Sequence, residues 1–275
     1  MADNQTVQAY TDAWTQSIES ISELLAPLPT DAWNRATECP GWSVRDVVSH
    51  IIGVESEMLG DPRPIHALPR DLRHVTDDFT RYMELPVDKR RCWTPVEITS
   101  ELEYTVIRRS RALRNSRHQP EDLVRWPGGP LARDLPYAAV LRMRAFDVWV
   151  HEQDLRRALQ EPGNLDSPAA VLTRDLLIET LPKQVAKEAG APIGSTVVFD
   201  VAGALPFQRT VRVGAHGRGS VDESVEPAPD VRLAMDWQTF VRLCCGRVRP
   251  ETALVNVIGD QELGLRVLAH LASTP

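Results

Sequence analysis

The chain has 275 residues, 43% apolar and 25% charged, which at roughly 150 residues per domain is enough for two domains, each with a core of its own. Its 21 prolines and 15 glycines scatter without a period, which excludes fibrous and low-complexity classes, and no apolar run approaches the ~18 residues of a membrane helix. With 38 acidic against 31 basic residues the net charge is −7, so no overall field draws in a polyanion, and neither nucleic acid nor a membrane is an expected partner.

Val7, Tyr10, Ala13, Trp14, Ile18, Ile21, Leu24 and Leu25 recur at three-and-four spacing and predict an amphipathic helix over 6–27, ended by Pro27 and Pro29. After Cys39-Pro40-Gly41-Trp42, Ser43 and Asp46 form a capping box that opens a second helix through Val47, Val48, Ile51 and Ile52. Prolines between Asp61 and Pro69 lead into a helix predicted near 70–85, and another is expected over 95–118. Trp126-Pro127-Gly128-Gly129-Pro130 reads as a loop. The longest apolar pattern, 136–159, puts Ala139, Val140, Met143, Phe146, Val150 and Leu155 in helical register. Residues 1–163 are therefore expected to form an antiparallel helical bundle.

A linking helix at about 167–187, with its loop, fills the stretch 164–194. The apolar period then changes to two, predicting strands at 196–201, 210–213 and 231–235. Asp236 to Gly246 reads as a capped helix ending at glycine, and Asp260 caps a last helix through Ala269. Residues 195–275 are thus expected to be a small α+β domain. Cys39, Cys92, Cys244 and Cys245 form no C-x-x-C pair and read as reduced thiols. The polar start from Met1 to Thr6 lacks the parts of a signal peptide, which predicts a cytoplasmic protein.

The chemistry centres on three residues. Asp147 and His151, four apart on one helix, point the same way and offer an oxygen and a nitrogen donor from one backbone. His50 lies on an otherwise apolar helical segment, where an imidazole facing the bundle needs a partner. Together they make a three-ligand set for a divalent metal, leaving one position for water, substrate or a thiol. Spacing alone leaves the plainer alternative open, with His50 a core histidine bonded to a backbone carbonyl and Asp147 with His151 a surface pair. Asp46 is explained by the capping box. Cys39 is either a nucleophile near a helix start or, more simply, an inert half-buried thiol. Glu55 and Glu57 read as solvated, and Arg108, Arg109, Arg111, Arg114 and Arg117 as a solvated basic face. Arg247 is an ordinary charge at a helix C-terminus, or a guanidinium fork for a carboxylate.

At Cys39-Pro-Gly-Trp-Ser-Val-Arg-Asp-Val-Val-Ser-His50, together with Phe146-Asp-Val-Trp-Val-His151-Glu-Gln-Asp154-Leu-Arg-Arg-Ala, the chain resembles the mycothiol-dependent maleylpyruvate isomerase family along almost its whole length. The resemblance implies a DinB-like four-helix metal-binding bundle followed by a C-terminal domain similar to sterol carrier proteins. It maps the metal ligands onto His50, Asp147 and His151, with zinc as the metal. It also matches Gly246-Arg247 to a family arginine that holds an anionic substrate or cofactor group. The family's carboxylate ligand is normally glutamate, and the aspartate here is one methylene shorter, which can pull the metal or weaken its binding.

The activity so implied uses the metal to hold mycothiol as a thiolate that adds to a small electrophile, as isomerase or S-transferase. An actinobacterial source follows from that cofactor. The competing expectation is a non-catalytic protein with a degenerate metal site that binds metal or a small ligand.

Overall fold

A computed structural model describes residues 4–224 and 226–273, and the chain divides after Gly163 into two compact units. The first unit contains α1 (Asn4–Leu25), α2 (Val44–Met58), α3 (Asp78–Arg90), α4 (Pro95–Arg114) and α5 (Tyr137–Leu159). Helix α1 packs along α5, and α2 packs on α3, α4 and α5, so α1, α2, α4 and α5 form the expected bundle with α3 against α2. Trp14, Ile18, Ile21, Val48, Ile51, Ile52, Leu102 and Trp149 fill its core. Burial of such side chains contributes roughly 1.5–3 kcal/mol each before entropy is counted.

Capping boxes set where the helices begin. Ser43 and Asp46 start α2 as the sequence predicts, and Thr94 with Glu97 starts α4. A third box, Asp77 with Thr80, starts α3 later than expected: the helix covers 78–90 rather than 70–85, and 61–77 runs without regular structure. The predicted loop at 126–130 joins two short strands, β1 (Leu123–Trp126) and β2 (Arg133–Pro136), paired antiparallel. Four residues with no fully buried side chain are too short to announce a strand by alternation.

In the second unit, α6 (Pro168–Lys183) packs on a five-stranded sheet of β3 (Thr196–Ala202), β4 (Phe207–Val213), β5 (Gly219–Asp222), β6 (Val231–Asp236) and β7 (Asn256–Gly259). The strand order is β5-β4-β3-β6-β7, with β3 and β6 parallel and the other neighbours antiparallel. Helices α7 (Trp237–Cys244) and α8 (Gln261–Ala269) pack on it, capped by Asp236 and Asp260 as expected. Phe199, Phe207, Trp237 and Phe240 make an aromatic cluster with ring centroids 5.2–6.4 Å apart. The sequence did not announce β5 and β7, four-residue edge strands with half-exposed side chains. The architecture is thus a helical N-terminal unit followed by a C-terminal α+β sheet unit. Among the described residues no helix is long and apolar enough to cross a membrane.

Candidate metal centre

Helices α2 and α5 lie side by side, which brings two distant stretches of sequence to one point. His50 stands two turns into α2, while Asp147 and His151 are one turn apart on α5. Both imidazoles turn Nε2 toward the same carboxylate: His50 Nε2 is 3.9 Å from Asp147 Oδ2, and His151 Nε2 is 3.8 Å from Asp147 Oδ1. One donor atom from each of the three residues lies within 4.8 Å of the others. The histidines are each 5% exposed, whereas the Asp147 side chain is 30% exposed and opens the cluster to solvent.

The donor set fits a divalent ion. Two imidazole nitrogens and a carboxylate oxygen suit zinc, whose bonds of about 2.0–2.1 Å place neighbouring tetrahedral donors roughly 3.4 Å apart. The observed separations need only a small inward movement. Three such ligands would leave a further coordination position, as reactive rather than purely structural zinc sites have.

A second layer of side chains holds this arrangement. Asp154, wholly buried, places Oδ2 3.2 Å from Nδ1 of His151 and accepts from the Cys39 thiol at 3.1 Å, while Arg157 Nη2 donates to its Oδ1 at 2.7 Å. A carboxylate against Nδ1 favours a ring proton there, the tautomer that would free Nε2 to bind a metal. Arg144 Nη1 donates to Asp147 Oδ2 at 2.7 Å. Burial pushes the Asp147 carboxyl up, but Arg144, then His151 and His50, more than offset this and hold it well below the usual carboxylate range. Asp147 is an anion at neutral pH, as a metal ligand must be.

Trp42 walls one side, its ring centroid 4.9 Å from that of His50 and 6.3 Å from that of His151. Its indole N–H donates to Glu84 Oε2 at 2.8 Å, and His74 Nε2 meets the same oxygen at 2.9 Å. Gly41, at φ +76°, lets the chain turn beneath the His74 ring.

Two expectations are corrected. Glu55 is not solvated: it is 1% exposed and accepts from Trp14, Arg109 and Arg144. Burial raises its carboxyl, but the charges of Arg144 and Arg109 and these hydrogen bonds bring it below its ordinary value. Nor is the basic stretch of α4 uniformly solvated, because Arg109 is buried on Glu55 while Arg108 makes a two-pronged pair with Asp61 at 2.7 Å. Asp46 closes the capping box and also pairs with Arg91, which bridges to Glu84 and Asp88. Cys39 is buried and bonded to Asp154, the arrangement of a packed thiol. Arg247 lies in the second unit just past Gly246, half-buried, with Nη1 donating to the Cys245 carbonyl at 2.6 Å. Sequence reasoning passed over Asp154, although it stands three residues after His151 within the quoted motif, and also Arg144, and it gave no role to Trp42.

The family model described as the mycothiol maleylpyruvate isomerase N-terminal domain matches residues 14–156, and that described as the MDMPI C-terminal domain matches 169–266. The chain belongs to the mycothiol-dependent maleylpyruvate isomerase family. The stretch between the two matches contains the division after Gly163. Among solved structures, the crystal structure of the mycothiol-dependent maleylpyruvate isomerase is similar at 14% identity and a TM-score of 0.58, covering 94% of this chain and 95% of that one. A histidine-to-alanine mutant of that isomerase is similar at 15% identity, with the same TM-score and coverage. These likenesses show a shared fold. No curated protein matches the chain in sequence.

Proposed function

We propose that this family member is a metal- and thiol-dependent enzyme acting on a small electrophile, as an isomerase or S-transferase, with zinc held by His50, Asp147 and His151 and mycothiol as the thiol. The observation that carries this reading is the convergence of those three side chains between α2 and α5, in a chain whose two domains both match the family. A divalent ion there would supply the positive charge that keeps a thiol in its thiolate form near neutral pH, and mycothiol would supply the thiol.

The chain's own residues do the rest. With an ion bound, His50 and His151 would each offer a ring nitrogen and Asp147 one negative charge, with Asp154 orienting the His151 ring. The buried side of the site excludes water, while Asp147 keeps it accessible. Arg247 is assigned the binding of an anionic group on substrate or cofactor, for which a guanidinium fork is suited.

The test is metal content and turnover together. Protein purified without chelator is expected to carry near-stoichiometric zinc, lost in His50→Ala and His151→Ala. It is also expected to turn over a maleyl or epoxide electrophile only when mycothiol is added. A metal-free parent with no thiol-dependent turnover would point instead to a non-catalytic ligand-binding protein. Arg247→Ala should raise KM for a carboxylate substrate while leaving bound zinc unchanged.

A further inference from the structure

Arg144 lies one turn before Asp147 on α5 and is only 2% exposed, a burial that a cation tolerates only when paired. Its guanidinium is divided between two carboxylates. Nε and Nη2 donate to Glu55 Oε1 at 3.0 and 2.7 Å, and Nη1 donates to Asp147 Oδ2 at 2.7 Å. Glu55 is itself anchored, because Trp14 Nε1 donates to Oε1 and Arg109 Nε to Oε2, each at 3.0 Å. The fork therefore cannot swing away from Asp147 without breaking charge-assisted bonds inside the bundle. Each Asp147 oxygen faces a histidine, Oδ1 the His151 Nε2 at 3.8 Å and Oδ2 the His50 Nε2 at 3.9 Å, but only Oδ2 also accepts from Arg144, and this leaves the carboxylate asymmetric.

We infer that Arg144 is a positioning residue of the metal site, holding Asp147 as a ligand through Oδ1 alone and keeping a cation behind it. The inference rests on the metal reading above. A carboxylate that shares its charge with a guanidinium is a weaker donor, and a fixed positive charge a few ångströms from a divalent ion repels it. Both effects loosen the ion and leave it a stronger Lewis acid toward the thiol it activates.

Wild type, Arg144→Met and Arg144→Lys are loaded with zinc and, separately, with cobalt(II). Chelator competition gives the zinc affinity, X-ray absorption counts carboxylate oxygens on zinc, and the cobalt ligand-field bands report coordination number. Wild type is expected to show one carboxylate oxygen and a four-coordinate cobalt spectrum. Arg144→Met should bind zinc on the order of tenfold more tightly, with a second carboxylate oxygen and the weaker bands of five-coordinate cobalt. Arg144→Lys, which keeps the charge, should hold zinc close to the wild-type affinity.

Two carboxylate oxygens in wild type would overturn the inference. So would a folded Arg144→Met protein with unchanged affinity and spectrum. Should Arg144→Met fail to fold, the wild-type absorption spectrum and Arg144→Lys decide the matter. A wild type that binds neither metal removes the metal reading and this inference with it, whereas bound metal on both oxygens removes this inference alone.

Discussion

Asp154 Oδ2 faces Nδ1 of His151 at 3.2 Å from a position wholly closed to solvent. The carboxylate decides which ring nitrogen keeps its proton. In Asp154→Asn the amide can turn its N–H₂ toward Nδ1, which would move the ring proton to Nε2 and block the lone pair that a metal needs. Zinc affinity is expected to fall about 10–100-fold, read by chelator competition, with the far-UV circular dichroism unchanged. Equal affinity in the two proteins would reduce the contact to packing.

Glu55 links acid sensitivity to the same buried network. Its folded carboxyl titrates below its ordinary 4.5, so near that pH the unfolded chain binds more protons and stability rises with pH. The contribution is complete above the unfolded carboxylate range and is lost as the pH falls through the folded value. Between about pH 6 and about pH 3 the urea midpoint should fall steeply in the parent and less steeply in Glu55→Gln. At neutral pH that variant should lose roughly 3–5 kcal/mol, because buried Arg109 loses its counter-charge and buried Arg144 keeps only that of Asp147. Parallel pH curves for the two proteins would place the acid sensitivity elsewhere.

The same two residues show where the sequence stops being legible. The buried residues of α4 are Ile98, Leu102, Thr105, Arg109 and Leu113, so spacing already puts Arg109 on the core face, and Glu55 likewise follows Ile51 and Ile52 by one turn. Their charges argued for solvent because the compensating partner is remote: Arg144 is 89 residues from Glu55. Local rules served better where the physics is local, as in the Ser43–Asp46 capping box and the one-turn spacing of Asp147 and His151. They failed for β5 and β7, edge strands whose place is set by the neighbours they pair with. The start of α3 was written locally in Asp77 and Thr80, but the prolines upstream drew the predicted start to about 70, inside the irregular stretch 61–77.

Gly41→Ala tests the wall beside His50. A Cβ at Gly41 would lie 2.3 Å from His74 Nδ1, on backbone whose φ of +76° already disfavours a side chain. Displacing His74 loosens Glu84, which also holds the Trp42 indole. A loss of roughly 1–3 kcal/mol is expected in urea unfolding, with weaker zinc retention. Adding His74→Ala removes the clash but not the strained φ, so the double variant should recover part of the loss. Strict additivity of the two substitutions would show that the residues do not meet.

Thiol labelling separates the two readings of Cys39. Cys92 is exposed, whereas Cys39, Cys244 and Cys245 are buried, and burial first, then the neighbouring Cys245, pushes the Cys244 thiol well above its usual range. A disulfide reagent acts through the thiolate and needs access, so the native protein should give one fast-reacting thiol, abolished in Cys92→Ser, and all four after unfolding. Cys39→Ser leaves a hydroxyl able to donate to Asp154 in place of the thiol. If the reacting thiol comes from the cofactor, that variant should retain mycothiol-dependent turnover within a few-fold of the parent. Fast labelling of Cys39 in the native protein, or loss of turnover in a folded Cys39→Ser variant, would make the chain's own sulfur the nucleophile and leave the metal site with a different task.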